Sequence, residues 1–150
     1  TCTIRGMERF LPDLEALTKE AQVFAKGLAP RARGATLVTL SGELGAGKTS
    51  FTQGMAQGLG VVGAVTSPTF VLEKIYPLYN APFTKLVHID AYRLAGGDEL
   101  RALGFDELMG EVGNLVVLEW PEKVADLLPA PAHRITLALP EQGGRSILYA

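Results

Sequence analysis

Eight consecutive residues, Gly42-Glu43-Leu44-Gly45-Ala46-Gly47-Lys48-Thr49, constrain this chain more than any other stretch. Glycine at each end of a six-residue span, with Lys-Thr directly after it, is the pattern G-x-x-x-x-G-K-[ST] of a phosphate-binding loop. A Cβ at the glycine positions would obstruct the backbone N–H groups that turn inward around phosphate oxygens. In that pattern Lys48 reaches the β- and γ-phosphates and the Thr49 hydroxyl ligates Mg²⁺. Glu43, Leu44, Gly45, Ala46, Gly47, Lys48, Thr49 and Ser50 are therefore the expected nucleotide-binding set. A helix starting near Gly47 would point its positive end at the same anion.

The flanks supply the context this motif needs. Ala35 to Leu40 reads as a strand, and Phe51, Met55 and Leu59 make an apolar stripe at helical spacing. Gly58 and Gly60 offer the stop. Strand, glycine loop and helix follow in the order that a P-loop requires. A plain glycine turn would not account for Lys48 and Thr49 directly after the last glycine.

Other elements follow the same logic. Residues 3–10 read as a short lead-in or a strand, and Asp13 as the N-cap of a helix. Leu14, Leu17, Ala21, Phe24, Ala25 and Leu28 form the apolar face of that helix. Strands are expected at 70–76, 85–90 and 115–119, and short helices at 98–103, 106–109 and 121–128. Arg134 to Leu139 and Ser146 to Tyr149 should form a hairpin turning at Gln142-Gly143-Gly144. The sum is an α/β chain with a P-loop NTPase fold: a mixed, mainly parallel sheet flanked by helices, with an antiparallel C-terminal hairpin.

Two of the predicted strands end in carboxylates, Asp90 and Glu119. A P-loop enzyme needs such an acid at a neighbouring strand end to serve Mg²⁺, and ligands of open α/β sheets bind at that edge. Glu119 follows the more apolar strand and takes the Walker-B-like role. Asp90 is then the candidate to position or activate water, or to act as a second metal-side ligand. Either acid would alternatively cap the loop that follows it. Thr66-Ser67-Pro68-Thr69 reads equally as a γ-phosphate-sensing loop or as a Ser-Pro turn. Arg93 suits transferred charge or a surface ion pair. Trp120 suits a ligand or partner contact, or a structural role. His88, at strand alternation with Asp90, reads as a core histidine.

Length and charge narrow the class. The 150 residues are expected to form one domain, 1–150, with enough apolar content (47%) for a real core. No apolar run approaches the ~20 residues that span a bilayer, and no leader-like segment opens the chain, so a cytoplasmic protein away from membranes is expected. A net charge of −2 and the lack of any Lys/Arg-rich run argue against strong autonomous nucleic-acid binding.

Four ordered segments carry a resemblance. They are the loop at 42–49, Thr66-Ser67-Pro68-Thr69-Phe70, His88-Ile89-Asp90-Ala91-Tyr92-Arg93-Leu94, and Leu118-Glu119-Trp120-Pro121. In this order the chain resembles the bacterial TsaE (YjeE) family of small P-loop ATPases over about Leu11 to Pro129. The resemblance implies an ATP- and Mg²⁺-dependent subunit. It would support the TsaB–TsaD heterodimer in forming threonylcarbamoyladenosine at position 37 of tRNAs reading codons that start with A. The tRNA would be engaged only indirectly, through those partners. By carry-over Lys48 holds phosphate, Thr49 and Glu119 serve Mg²⁺, and Asp90 is important for hydrolysis. Thr69 belongs to a switch-like loop, and Trp120 sits beside nucleotide and partner. Residues within Leu11 to Leu17 are expected near adenine. Intrinsic activity is expected to be low without partners.

Two other readings share the scaffold. A small-molecule phosphotransferase would need an acceptor pocket and commonly an arginine-bearing lid, whereas only Lys123, Arg134 and Arg145 follow Glu119 as basic residues. A nucleotide-gated binding module would switch a partner with little hydrolysis. No N-K-x-D guanine motif occurs, which favours ATP over GTP.

Overall fold

The computed structural model describes residues 7–63, 65–66 and 72–150. Its strands are β1 (Met7–Leu11), β2 (Thr36–Ser41), β3 (Glu73–Pro77), β4 (Lys85–Asp90), β5 (Asn114–Glu119), β6 (His133–Ala138) and β7 (Arg145–Tyr149). The helices are α1 (Leu14–Lys26), α2 (Lys48–Gly58), α3 (Gly97–Ala102) and α4 (Phe105–Met109), with a 3₁₀ turn at Pro121–Val124. The seven strands form one sheet in the order β1-β7-β6-β2-β5-β4-β3. Its centre, β6-β2-β5-β4, is parallel; β7, β1 and β3 are antiparallel additions at the two edges. This is the mixed α/β sheet expected, including the hairpin of β6 and β7.

Strand alternation sends side chains to two cores. Val38, Leu40, Leu86, Leu115 and Val117 face α1 and α2, where Leu17, Ala21, Phe51 and Met55 meet them. Leu37, Val87, Ile89, Val116 and Leu118 face the other way, toward Leu100, Phe105 and Val124. Because both faces of β2, β4 and β5 are covered, these strands read as continuous apolar runs.

Local rules start and pack the helices. Asp13 caps α1 by accepting a hydrogen bond from the Ala16 N–H at 2.8 Å, a contact worth ~1 kcal/mol. The α1 helix lies close against α2, where a Cβ on Gly54 would come within 2.6 Å of the Thr18 carbonyl oxygen. That approach requires glycine.

Three expectations change. Of the strand expected at 70–76, residues 73–76 lie in β3; Phe70 and Val71 lie outside the described residues, and Leu72, at a positive φ of 67°, precedes the strand while its carbonyl accepts from the Asp90 N–H at 2.9 Å. The helix expected over 121–128 is a single 3₁₀ turn, because Trp120 enters it from the left-handed region and it buries only Val124. Leu14, placed on the buried face of α1, is exposed. Among the described residues no helix is long and apolar enough to cross a membrane.

Candidate functional site

The loop between β2 and α2 has the geometry its sequence demands. Gly42 sits at φ 146°, and a Cβ there would lie 2.4 Å from the Leu137 carbonyl oxygen on β6, so only glycine fits. The Ala46 N–H donates to the Glu43 carbonyl at 3.1 Å, tightening the turn. Gly47, in a left-handed conformation, precedes α2 and supplies no side-chain cap. The first-turn N–H groups of α2 have no intrahelical partners and face the mouth of the loop with the positive end of the helix dipole. Leu44 stands exposed at the loop tip, and Thr49 and Ser50 are half-buried in the first turn.

The Lys48 side chain folds back over the loop. Its Nζ donates to the Gly42 carbonyl and, at 3.0 Å, to the Glu43 carbonyl. It also lies 4.2 Å from the centroid of the Trp120 ring. Burial pushes the Lys48 pKa down, while the charges of Glu119, then Glu122, Asp90 and Glu43, oppose that shift. A desolvated cation against apolar and carbonyl surfaces is a strong attractor for a phosphate.

The acids come together by strand register. β4 and β5 run parallel with Asp90 opposite Glu119. Both face α2, since each continues the alternation that sends Leu86 and Val117 into that core. Both are nearly inaccessible, Asp90 at 5% and Glu119 at 3%. Asp90 Oδ1 accepts from the Tyr92 N–H at 3.0 Å, which folds the turn after β4 over the carboxylate. Glu119 Oε2 meets Nε2 of His88, itself wholly buried, at 2.5 Å. His88 is thus a buried residue, as read from the sequence, but its Nε2 is engaged by the strand-end acid. Alternation put His88 and Asp90 on one face; only the adjacency of β4 and β5 adds Glu119.

Trp120 follows directly and bridges the two halves of the site. It holds φ 61° and ψ 53°, unusual for a residue other than glycine. Its N–H donates to the Leu40 carbonyl at 3.2 Å, tying it to the strand before the loop. Its half-buried ring packs 5.0 Å from Tyr92. Arg93 is exposed in the turn after β4. Thr69 lies outside the described residues.

Arg145 is a neighbour that sequence reasoning did not place here. It opens β7, and a Cβ on Gly47 would lie 3.6 Å from its Nε. Its Nη1 donates to the Gly144 carbonyl at 2.9 Å. Leu17 and Leu14 border the same glycine. A lone arginine after a glycine turn carries no signal of this position, because its proximity arises from the order of strands in the sheet.

These groups suit a nucleotide phosphate with a shared divalent cation. Among the described residues no three His, Cys, Asp or Glu side chains gather to hold a metal alone. Mg²⁺ needs only one or two carboxylates beside phosphate oxygens and water. Thr49 and Glu119, with Asp90 adjacent in register, can provide that hard oxygen set.

Comparison with known proteins gives one consistent answer. The family model described as "Threonylcarbamoyl adenosine biosynthesis protein TsaE" matches residues 14–147. Similar relatives include the "tRNA threonylcarbamoyladenosine biosynthesis protein TsaE" of Streptomyces coelicolor, 52% identical over 103 residues, or 67% of each chain. The protein of the same description from Bacillus subtilis is 37% identical over 131 residues, 87% of this chain and 79% of the relative. A crystal structure of Bacillus subtilis YdiB superposes with a TM-score of 0.77 at 28% identity, covering 100% of this chain and 88% of that one. With the family match running from α1 into β7, and the P-loop, its neighbouring acids and the mixed sheet all in place, this chain belongs to the TsaE family.

Proposed function

We propose that this protein is a Mg²⁺-dependent ATPase that supports TsaB–TsaD in making threonylcarbamoyladenosine at position 37 of tRNAs reading codons that start with A. The observation that carries the catalytic part is the register pair Asp90 and Glu119, buried on the same sheet face as the P-loop lysine. Relatives described as tRNA threonylcarbamoyladenosine biosynthesis proteins support the pathway. A net charge of −2 fits a subunit that leaves tRNA to its partners. Work on tRNA would take place in the cytoplasm.

The residue roles follow from position. The first-turn N–H groups of α2 bind the phosphates, and the Lys48 ammonium exchanges its loop carbonyls for phosphate oxygens. Thr49 and Glu119 would hold Mg²⁺, which when bound neutralises charge on the β- and γ-phosphates. Asp90, clamped by the Tyr92 N–H, orients the water that attacks the γ-phosphorus and accepts its proton as ADP departs. Trp120 screens the lysine from solvent and stands where a partner can contact it.

Asp90→Ala tests this. The variant should bind ATP with wild-type affinity and lose hydrolysis, measured with and without TsaB–TsaD and tRNA. Undiminished hydrolysis would sink the assignment. A wild-type protein that neither hydrolyses ATP faster in the presence of the pair nor forms a complex with it would remove the partner role.

A further inference from the structure

His88 is fully buried on β4, with its Nε2 on Glu119 Oε2. A carboxylate only accepts, so Nε2 carries the proton and donates. Its other nitrogen, Nδ1, is buried and has no hydrogen-bond partner among the described residues. An imidazole half-satisfied in the interior is a poor choice for packing alone, since an apolar side chain would fill the space without burying a polar atom. The bond to Glu119 is what the histidine adds.

Register shows why that bond matters. Glu119 stands directly opposite Asp90, so two carboxylates share one position across neighbouring strands. Like charges so placed repel. His88 lies two residues back from Asp90 on the same strand face and draws Glu119 toward itself. One carboxylate oxygen is thereby held and the plane of the group restricted.

We propose that His88 is a positioning residue: it fixes Glu119 through Oε2, keeps it apart from Asp90 and leaves its second oxygen to serve Mg²⁺. This rests on the ATPase reading above. It reverses a common order, in which an outer carboxylate orients a ligating histidine; here a histidine orients the ligating carboxylate.

The test compares His88→Phe, which fills the space without a donor, with His88→Gln, whose amide N–H can reach Glu119. ATP binding is measured by calorimetry in EDTA and across a Mg²⁺ titration, alongside turnover. His88→Phe should bind ATP normally in EDTA. Its Mg²⁺ requirement should rise roughly 10- to 100-fold, the range for loss of a partner that orients a metal ligand, and kcat should fall while the Kd for ATP in EDTA stays unmoved. His88→Gln should recover most of both. An unchanged Mg²⁺ requirement in His88→Phe, or a Gln variant as impaired as Phe, overturns the role. Should the Phe variant not fold, His88→Asn, too short to reach Glu119, replaces it, and a Mg²⁺ requirement equal to that of the Gln variant is the overturning result. A wild-type protein whose ATP binding ignores Mg²⁺ would instead strike the ATPase reading itself.

Discussion

On one side of the phosphate loop, β5 and β4 run parallel to the loop strand and end on Glu119 and Asp90; on the other, β6 leads through a hairpin to β7 and β1. The first flank is buried on both faces, and the charged groups at its carboxyl strand ends find partners inside the protein. Asp90 takes the Tyr92 N–H, Glu119 takes His88, and Lys48 lies against Trp120 and the loop carbonyls. The second flank alternates. Ile135 and Leu137 on β6 are buried while Arg134 and Thr136 are exposed. Polar side chains of β6 such as Arg134 and Thr136 reach solvent, and apart from Arg145 beside Gly47 the flank is aromatic packing: Phe24 lies 5.3 Å from His133 and 5.6 Å from Tyr149. The contrast teaches that a parallel sheet edge brings buried charged groups together, whereas an antiparallel edge lets alternate side chains part toward solvent.

The comparison breaks if changes on the first flank spare ligand binding or changes on the second abolish it. The largest effect is expected from Lys48→Ala, which should weaken ATP binding roughly 10- to 100-fold, the loss of a charged hydrogen bond. Equilibrium binding measures it, and an unaltered affinity would contradict the phosphate role of this flank. Trp120 comes next. Because its φ is 61°, Trp120→Gly should be more stable than Trp120→Ala by about 1–2 kcal/mol in denaturant unfolding; equal stabilities would show that the turn after β5 stores no strain.

Across the loop the effects should be smaller and confined to stability. The Tyr149 hydroxyl donates to Glu20 at 2.8 Å, and burial together with Glu20 holds its pKa far above the usual tyrosine range. Tyr149→Phe should cost about 0.5–1.5 kcal/mol and leave ATP affinity unchanged. The smallest effect concerns pH. Burial lowers the His133 pKa from 6.5, so the native state favours the neutral ring. Its contribution is complete above 6.5 and is lost as pH falls from there through the folded-state value. His133→Gln should flatten that part of the stability-versus-pH curve; an identical curve would remove His133 from the balance.

Much of the fold was legible because its signals are local. The P-loop, the Asp13 cap and the strand at 85–90 each announce themselves within a few residues, and the structure places them as read. Legibility failed where context overrode a local pattern. Pro121, suited to the first turn of a helix, led to the expectation of a helix over 121–128, yet the left-handed Trp120 and a single buried valine leave only a 3₁₀ turn. Leu14 fits an apolar stripe but lies at the open end of α1 beside Gly47. In the candidate site, the proximity of Lys48, Asp90 and Glu119 was foreseeable from motif and strand ends, whereas Arg145 and the bond from His88 were not.

By itself the sequence determined a phosphate loop between a strand and a helix, two acids at strand ends, and a net charge of −2 with no Lys/Arg-rich run. Those properties depend on contiguous residues, on backbone freedom at glycine and on composition. Only the tertiary structure decided that Asp90 and Glu119 stand opposite each other, that His88 draws the second away from the first, and that Arg145 arrives beside Gly47. Each depends on which strands lie side by side and in what register, a relation between distant segments that no spacing along the chain encodes.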